Sequence, residues 1–245
     1  MILAVIPARY DSSRFPGKPL SLLAGKPLIQ WVYEGTVSCS SLDDVVVATD
    51  DDRIAAVVRS FGGKSVMTCR SHTTGTDRAA EVASGYPDAE VIVNVQGDQP
   101  LINASVIASL IEPFRGKSVP DMSTIACPID SEFTRSDSNS VKVACDQQGN
   151  ALFFSRASLP YYRNHIDVPV YHHIGLYAFQ ASFLQQYAKL PPTPLEQCEA
   201  LEQLRVLEHG YRIRVALVDR PLLEVNTPDD LARVEQWLQR NASGH

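Results

Sequence analysis

The sequence predicts an α/β fold: a Rossmann-like, mostly parallel sheet with helices on both faces and a mixed-sheet excursion in its second half. Three observations carry this. Short, continuously apolar runs alternate with helix-like amphipathic segments through the first half. Several helix-like segments open on acids or threonine and close on glycine. From about residue 122 to 190, strand-like runs follow one another with little helix between them.

The elements follow in order. "MILAVIPA" is apolar throughout, as a strand covered on both faces must be. Pro27 to Val37 reads as a helix with Leu28, Trp31 and Val32 on one face. "DDVVVATD" is a second buried strand. "DDRIAAVVRSFGG" is a helix with acids in its first turn and Gly62-Gly63 as its stop. "SVMTC" and "TDRAAEVAS" give a third strand and helix, and "EVIVNVQGD" and Ser105 to Phe114 a fourth pair. The middle supplies the strand-like "DMSTIACPI", "VKVACD", "ALFFSR" and "VYHHIGLYAF". "LEQCEALEQLRVLEHG" is expected to be one helix, with Leu201, Leu204 and Leu207 as its apolar stripe and Gly210 as its end. After the strand "YRIRVALV", a last helix is capped by Thr227, with Pro228 in its first turn and Asp229 and Asp230 at its positive end. The tail "NASGH" is expected to fray. The chain is read as a single domain, 1–245, holding a mixed β region at about 122–190.

Composition excludes several classes. A chain of 245 residues, 44% hydrophobic and 20% charged, can bury one sizeable core. Its net charge of -6 disfavours a nucleic-acid partner, which needs a basic face. The five cysteines, Cys39, Cys69, Cys127, Cys145 and Cys198, form no C-x-x-C pair, so reduced thiols are expected rather than a disulfide framework or a zinc site. Six apolar residues precede Pro7 and Arg9, too few for a signal peptide, and no run approaches a membrane span. The expectation is a soluble cytoplasmic protein with no membrane insertion.

In an open parallel sheet, ligands bind beyond the carboxyl ends of the strands. The first strand ends at Pro7-Ala8-Arg9 and runs into "YDSSRFPGK", which places Arg9, Arg14 and Lys18 within ten residues, with Ser12 and Ser13 between them. Neither a Walker A nor a G-x-G-x-x-G loop is present. Three cations on an acidic chain suit a polyphosphate: arginine forks onto phosphate oxygens, and lysine brings a mobile point charge. The bland alternative is a solvated basic loop. The fourth strand ends in "NVQGDQP", where Asp98 is placed either to hold a Mg²⁺ that bridges phosphates or to cap the next turn. Gln96, two residues earlier, faces the same side if the strand continues that far.

The blocks "PARYDSSRFPGKPL", "VVVATDD", "GTDRAAEV", "VNVQGDQP", "ALFFSRASLP", "HIGLYAF", "LEQLRVLEHG" and "TPDDLARVEQ" occur in the order seen in the 3-deoxy-manno-octulosonate cytidylyltransferases, or CMP-KDO synthetases. The resemblance covers nearly the whole chain. It implies the nucleotide-diphospho-sugar transferase-like fold and the transfer of CMP from CTP to a 2-keto-3-deoxy sugar acid, with release of pyrophosphate. It also implies a Mg²⁺ cofactor and a homodimer whose contacts lie in the mixed β region.

By that resemblance Arg9, Lys18 and Asp98 are catalytic, and Ala8, Arg9, Ser13, Arg14, Lys18, Gly75, Arg78 and Gln96 bind nucleotide, with Gly75 to Arg78 bordering cytosine and ribose. Gln96, Arg156, Arg163, His173, Tyr177, Glu202 and Gln203 line the sugar pocket. Asp98 and Asn226 hold the metal. Read on the residues alone, Gly75 to Arg78 is equally a plain helix start. Tyr177 and His173 could be core residues, and Glu202 an exposed helix acid.

The chain departs from the family pattern twice. Where the family reads G-D-E-P, this chain has Gly97-Asp98-Gln99-Pro100. Where the family has an acid before T-P, this chain has Asn226. An amide oxygen can bind Mg²⁺ but brings no charge. Three readings stay open for Asn226: one carboxylate with more phosphate or water, a substitute such as Glu224 or Asp229, or an impaired or engineered chain, down to a non-catalytic nucleotide-binding homologue. Gln99 either shifts sugar preference, for instance toward an amino-bearing analogue, or is neutral. The same chemistry on 8-amino-KDO or a sialic acid is the alternative substrate reading.

Overall fold

The computed structural model describes residues 1–11, 14–129, 131–164, 166 and 168–242. In chain order the strands are β1 (Ile2–Ala8), β2 (Leu22–Leu23), β3 (Lys26–Pro27), β4 (Asp44–Thr49), β5 (Ser65–Met67), β6 (Val91–Asn94), β7 (Met122–Pro128), β8 (Lys142–Cys145), β9 (Ala151–Ser155), β10 (Tyr171–Gln180) and β11 (Ile213–Leu217). The helices are α1 (Leu28–Val37), α2 (Asp52–Ser60), α3 (Gly75–Ser84), α4 (Ala104–Ile111), α5 (Glu132–Ser136), α6 (Ala181–Tyr187), α7 (Pro194–Glu199), α8 (Gln203–Glu208) and α9 (Pro228–Ala242). The chain divides into two compact units, residues 1–107 with 222–245, and residues 108–221. The second contains the mixed strands expected between 122 and 190. Among the described residues no helix is long and apolar enough to cross a membrane.

In the first unit the main-sheet strands pair in the order β6-β1-β4-β5, all parallel, and β2 and β3 form a separate antiparallel pair. From β1 the chain steps outward to β4 and β5, then returns to the far side of β1 as β6. Right-handed crossovers therefore place α1 and α2 on one face and α3 on the other. The order reverses between β1 and β6, and a crevice opens beyond their carboxyl ends. The strands are apolar for the reason the sequence suggests: Leu3 to Ile6, Val46 to Ala48, Ile92 and Val93 are fully buried. The returning segment and α9 pack through Val225 and Val234 against Leu23 and Leu28, with Phe15, Trp31 and Leu101 around them. Trp31 Nε1 donates to the Leu23 carbonyl at 2.8 Å. Thr227 caps α9 as expected, accepting from the Asp230 amide at 3.2 Å.

In the second unit β11 and β7 run parallel, while β7–β10, β10–β8 and β8–β9 are antiparallel. The pairing of β10 with β7 slips between Ile174 and Tyr177, a bulge around Gly175. Two helix expectations need correction. The single helix expected from Leu195 to Gly210 is two helices, α7 and α8, broken at Ala200, whose backbone is left-handed (φ 51°, ψ 50°). The turn is closed by the Leu201 amide bonding to the Glu196 carbonyl at 3.1 Å. The cost of the left-handed alanine, about 1 kcal/mol, is set against burial of Leu201. No glycine or proline announces it. The fourth helix runs from Ala104 to Ile111 rather than to Phe114, and Pro113 lies in a 3₁₀ turn that follows it.

One helical glycine tests the packing. A β-carbon on Gly35 in α1 would stand 2.3 Å from the Ile102 carbonyl oxygen. Alanine is normally worth about 1 kcal/mol over glycine inside a helix, but overpacking against backbone costs about 1–3 kcal/mol. Gly35→Ala is therefore expected to lower unfolding stability in urea, and an increase would show that the two segments separate freely.

Candidate active site

A hollow of ≈ 250 Å³ lies at the carboxyl ends of β1 and β6 in the first unit. Its wall includes Ala8, Arg9, Arg14 and Lys18 from the first loop, Gly75 and Arg78 from α3, and Gln96, Asp98 and Asn226. Every nucleotide or metal candidate that the structure describes lies on this one wall. Ser13, like Ser12, lies outside the described residues.

The first loop is held at three points. The Gly17 amide donates to the Tyr10 carbonyl at 2.9 Å, and Gly17, at φ 71°, lies so close to the Tyr10 ring that a β-carbon would sit 3.2 Å from it. The guanidinium of Arg53 stacks 3.3 Å from the centre of the same ring. Asp51, the N-cap of α2, takes both Arg53 Nε (3.0 Å) and Nη2 (2.6 Å). That hydrogen-bonded guanidinium holds the Asp51 carboxyl down to about 2. At the loop's end, Lys18 Nζ donates to Asp98 Oδ2 and to the Val225 carbonyl, both at 2.9 Å. The Val225 amide in turn donates to the Asp98 carbonyl at 2.9 Å. Three distant stretches of sequence thus meet on one ammonium.

The Asp98 segment is set by close backbone approach. A β-carbon on Gly97 would lie 2.8 Å from the Pro7 carbonyl oxygen, so only glycine lets the two strand ends come together. Strand β6 stops at Asn94. Gln96 and Asp98 therefore lie in the turn beyond it, and strand alternation is not what brings both to the hollow.

At α3 the Thr74 hydroxyl accepts from the Asp77 amide at 3.1 Å, and the Asp77 carboxylate accepts from the Thr74 amide at 3.3 Å. Thr74 is thus the N-cap of α3, and Asp77 in the first turn completes the capping box. Arg78 is buried, donating to Asp50 Oδ2 at 2.7 Å and to Thr68 Oγ1 at 2.6 Å. It forms wall rather than a mobile cation.

For a divalent cation, the wall of the hollow offers the Asp98 carboxylate and the Asn226 amide, and the Glu224 carboxylate lies off that wall, 3.3 Å from Asn226 Nδ2. Among the described residues no three His, Cys, Asp or Glu side chains form a metal-binding group. Two carboxylates and one amide oxygen fit Mg²⁺, which keeps phosphate and water oxygens as its other ligands. Partial desolvation raises the Glu224 carboxyl above the ordinary range and the Asp98 charge adds to this, although the residue keeps an exposed face.

The sugar candidates other than Gln96 lie in the second unit. His173, Tyr177 and Gln203 are buried together beside the β10 bulge. Tyr177 O–H donates to Gln203 Oε1 at 3.2 Å, and Gln203 Nε2 lies 3.5 Å from His173 Nδ1. His173 Nε2 meets Thr124 Oγ1 at 2.9 Å, and that hydroxyl donates to the Leu176 carbonyl at 2.8 Å. The order of donors makes His173 neutral with its proton on Nε2. Burial pushes its pKa down to about 3. Glu202 stands beside them, its carbonyl accepting from Tyr187 O–H at 3.4 Å. Arg156 Nε donates to the Glu199 carbonyl at 2.8 Å, and Arg163 is exposed.

Sequence reasoning missed His72, Thr73, Thr74, Pro7 and Pro19 on the wall of the hollow, and the Tyr10–Arg53–Asp51 clamp. Only Thr74 carries a local signal, as the cap of α3.

A cytidylyltransferase family model matches residues 3–213. The chain is 54% identical over 239 residues to a 3-deoxy-manno-octulosonate cytidylyltransferase of Acaryochloris marina, covering 98% of each. It is 49% identical over 240 residues to an 8-amino-3,8-dideoxy-manno-octulosonate cytidylyltransferase of Shewanella pealeana, covering 97% of this chain and 98% of the other. A solved CMP:2-keto-3-deoxy-manno-octonic acid synthetase complexed with CTP superposes with a TM-score of 0.93 at 38% identity, over 98% of this chain and 99% of that one.

The buried imidazole gives a pH prediction. Between about pH 3 and 6.5 only the unfolded chain takes up its proton, so stability is complete above about 6.5 and falls as pH drops. From pH 6.5 to 5 the loss from this one group is about 2 kcal/mol. Urea unfolding of His173→Gln should show a pH slope shallower by about one proton in that window. An unchanged slope would mean that the imidazole titrates freely in the folded chain.

Proposed function

The chain belongs to the cytidylyltransferase family, and from that premise we propose that it transfers CMP from CTP to the anomeric hydroxyl of 3-deoxy-D-manno-octulosonate, giving CMP-KDO for lipopolysaccharide synthesis and releasing pyrophosphate. One observation carries the proposal: Arg9, Arg14, Lys18 and Asp98 share a single hollow at the reversal point of a parallel sheet.

The chemistry follows from positioning and charge. The sugar hydroxyl attacks the α-phosphorus, and pyrophosphate departs with added negative charge. Arg9 and Arg14 fork onto the β- and γ-phosphate oxygens. Lys18 exchanges Asp98 for the phosphate tail and stabilises the leaving group. The turn at Gly75 to Arg78 borders the cytosine and ribose, and Ala8 and Gln96 line the nucleotide's edge. Asp98, with Asn226 beside it, would hold a Mg²⁺ whose charge draws density from the phosphates. The clamp on Tyr10 keeps the cationic loop near its working shape, so less ordering entropy is lost on binding.

For the sugar we propose Gln96, Arg156, Arg163, His173, Tyr177, Glu202 and Gln203. The buried His173–Gln203–Tyr177 chain acts by fixing the orientation of its members, and the exposed Arg163 is free to meet the sugar carboxylate. The exposed apolar Leu152, Tyr161, Ile166 and Val168 favour a homodimer contact on the mixed β region. A cytoplasmic setting fits the free cysteines. The Shewanella pealeana relative favours 8-amino-KDO as the second substrate reading.

Pyrophosphate release from CTP, Mg²⁺ and a panel of KDO, 8-amino-KDO and a sialic acid tests the assignment. KDO is expected to give the highest kcat/KM, and release with none of them, while CTP binds, would leave a nucleotide-binding homologue. Lys18→Ala should lower kcat about 10²–10³-fold with an unchanged circular-dichroism spectrum. Retained turnover would remove the loop from the chemistry.

A further inference from the structure

The two departures from the family pattern meet on one side chain. Gln99 Nε2 donates to Glu224 Oε1 at 3.0 Å, and Asn226 Nδ2 donates to Glu224 Oε2 at 3.3 Å. Each oxygen of this carboxylate is gripped by an amide that stands where the resembling family has an acid. With an acid at either position, two carboxylates would stand within hydrogen-bond distance and repel.

Gln99 is fully buried, and its Oε1 has no hydrogen-bond partner among the described residues. Burying that oxygen unpaired is costly, and the bond the amide does make is the one to Glu224. Glu224 is followed by Val225, whose amide and carbonyl bond to the Asp98 carbonyl and to Lys18. Its carboxylate is therefore tethered one residue from the Lys18–Asp98 contact. Glu224 and Asp229, the other neighbouring acid, are both exposed, and it is Glu224 that the two amides grip.

We propose that the second carboxylate of the divalent-cation site has moved in this chain from position 226 to Glu224, and that Gln99 and Asn226 are positioning residues that hold Glu224 beside Asp98. This rests on the reading that Asp98 holds a divalent cation. The charge missing from 226 is restored two residues away. The two amides are then parts of one exchange rather than two independent losses.

The test is Mn²⁺ binding to the full chain in the presence of CTP and without sugar acid, followed by the electron paramagnetic resonance signal of free Mn²⁺. CTP affinity without metal is measured in parallel as a control for an intact hollow. Glu224→Gln is expected to weaken Mn²⁺ at least tenfold with metal-free CTP affinity unchanged, and the double variant E224Q/N226D to recover most of that loss. Gln99→Met should weaken Mn²⁺ several-fold in the unaltered background and no further in the Glu224→Gln background, which a merely structural role for Gln99 would not produce. Should Glu224→Gln hold Mn²⁺ as tightly as the unaltered chain while Asp98→Asn loses it, Glu224 is no ligand and the proposal falls. Failure of E224Q/N226D to recover binding overturns the exchange of position. Equal weakening by Gln99→Met in both backgrounds overturns its positioning role. If Asp98→Asn too binds as the unaltered chain does, the underlying cation reading fails instead.

Discussion

The site depends on one ammonium group. Lys18 Nζ bonds at once to the Asp98 carboxylate and the Val225 carbonyl. This joins the loop after β1, the turn after β6 and the segment before α9. Hydrogen bonds to charged groups are worth about 1.5–3 kcal/mol each, and here they do more than stabilise. The lysine neutralises the acid, and the acid holds the ammonium in place. Both groups lie on the wall of the same hollow.

Around that contact the backbone leaves little freedom. Gly97 lets the end of β6 approach Pro7 more closely than any side chain would permit, and Gly17 makes the same allowance for the Tyr10 ring. The Arg53 guanidinium, fixed by Asp51, lies on the other partner of that turn. A loop carrying three positive charges would tend to splay by self-repulsion. Here packing and a cation–π contact outside the hollow hold its start and Lys18 holds its end, so Arg9 and Arg14 need not hold its shape.

Much of this was legible in the sequence, for local reasons. The apolar runs of β1, β4 and β6 and the capped helices α2, α3 and α9 follow from periodicity and end signals. The parallel order, with the site at strand ends, follows from their alternation. What escaped is what long-range packing decides. The break at Ala200 has no glycine or proline to mark it, because burial of Leu201 overrides local preference. The bonds that bury Arg78 against Asp50 and Thr68 on the wall of the hollow are invisible in the local sequence. Gln96 and Asp98 share the hollow through a turn rather than a strand, since pairing ends at Asn94. Glu224 can be singled out in the sequence as an acid near position 226, but its two amide partners, one of them 125 residues away, are visible only in three dimensions.

The contact between Lys18 and the Val225 carbonyl spans 207 positions of sequence. At a translation speed of about 5–20 residues per second, roughly 10 to 40 seconds pass on the ribosome between the making of one partner and the other. For the later part of that interval β1 to β6 have all been made, while Leu23 and Leu28 still lack Val225 and Val234 as cover. The nascent chain must shield an unfinished apolar seat until the late segment docks.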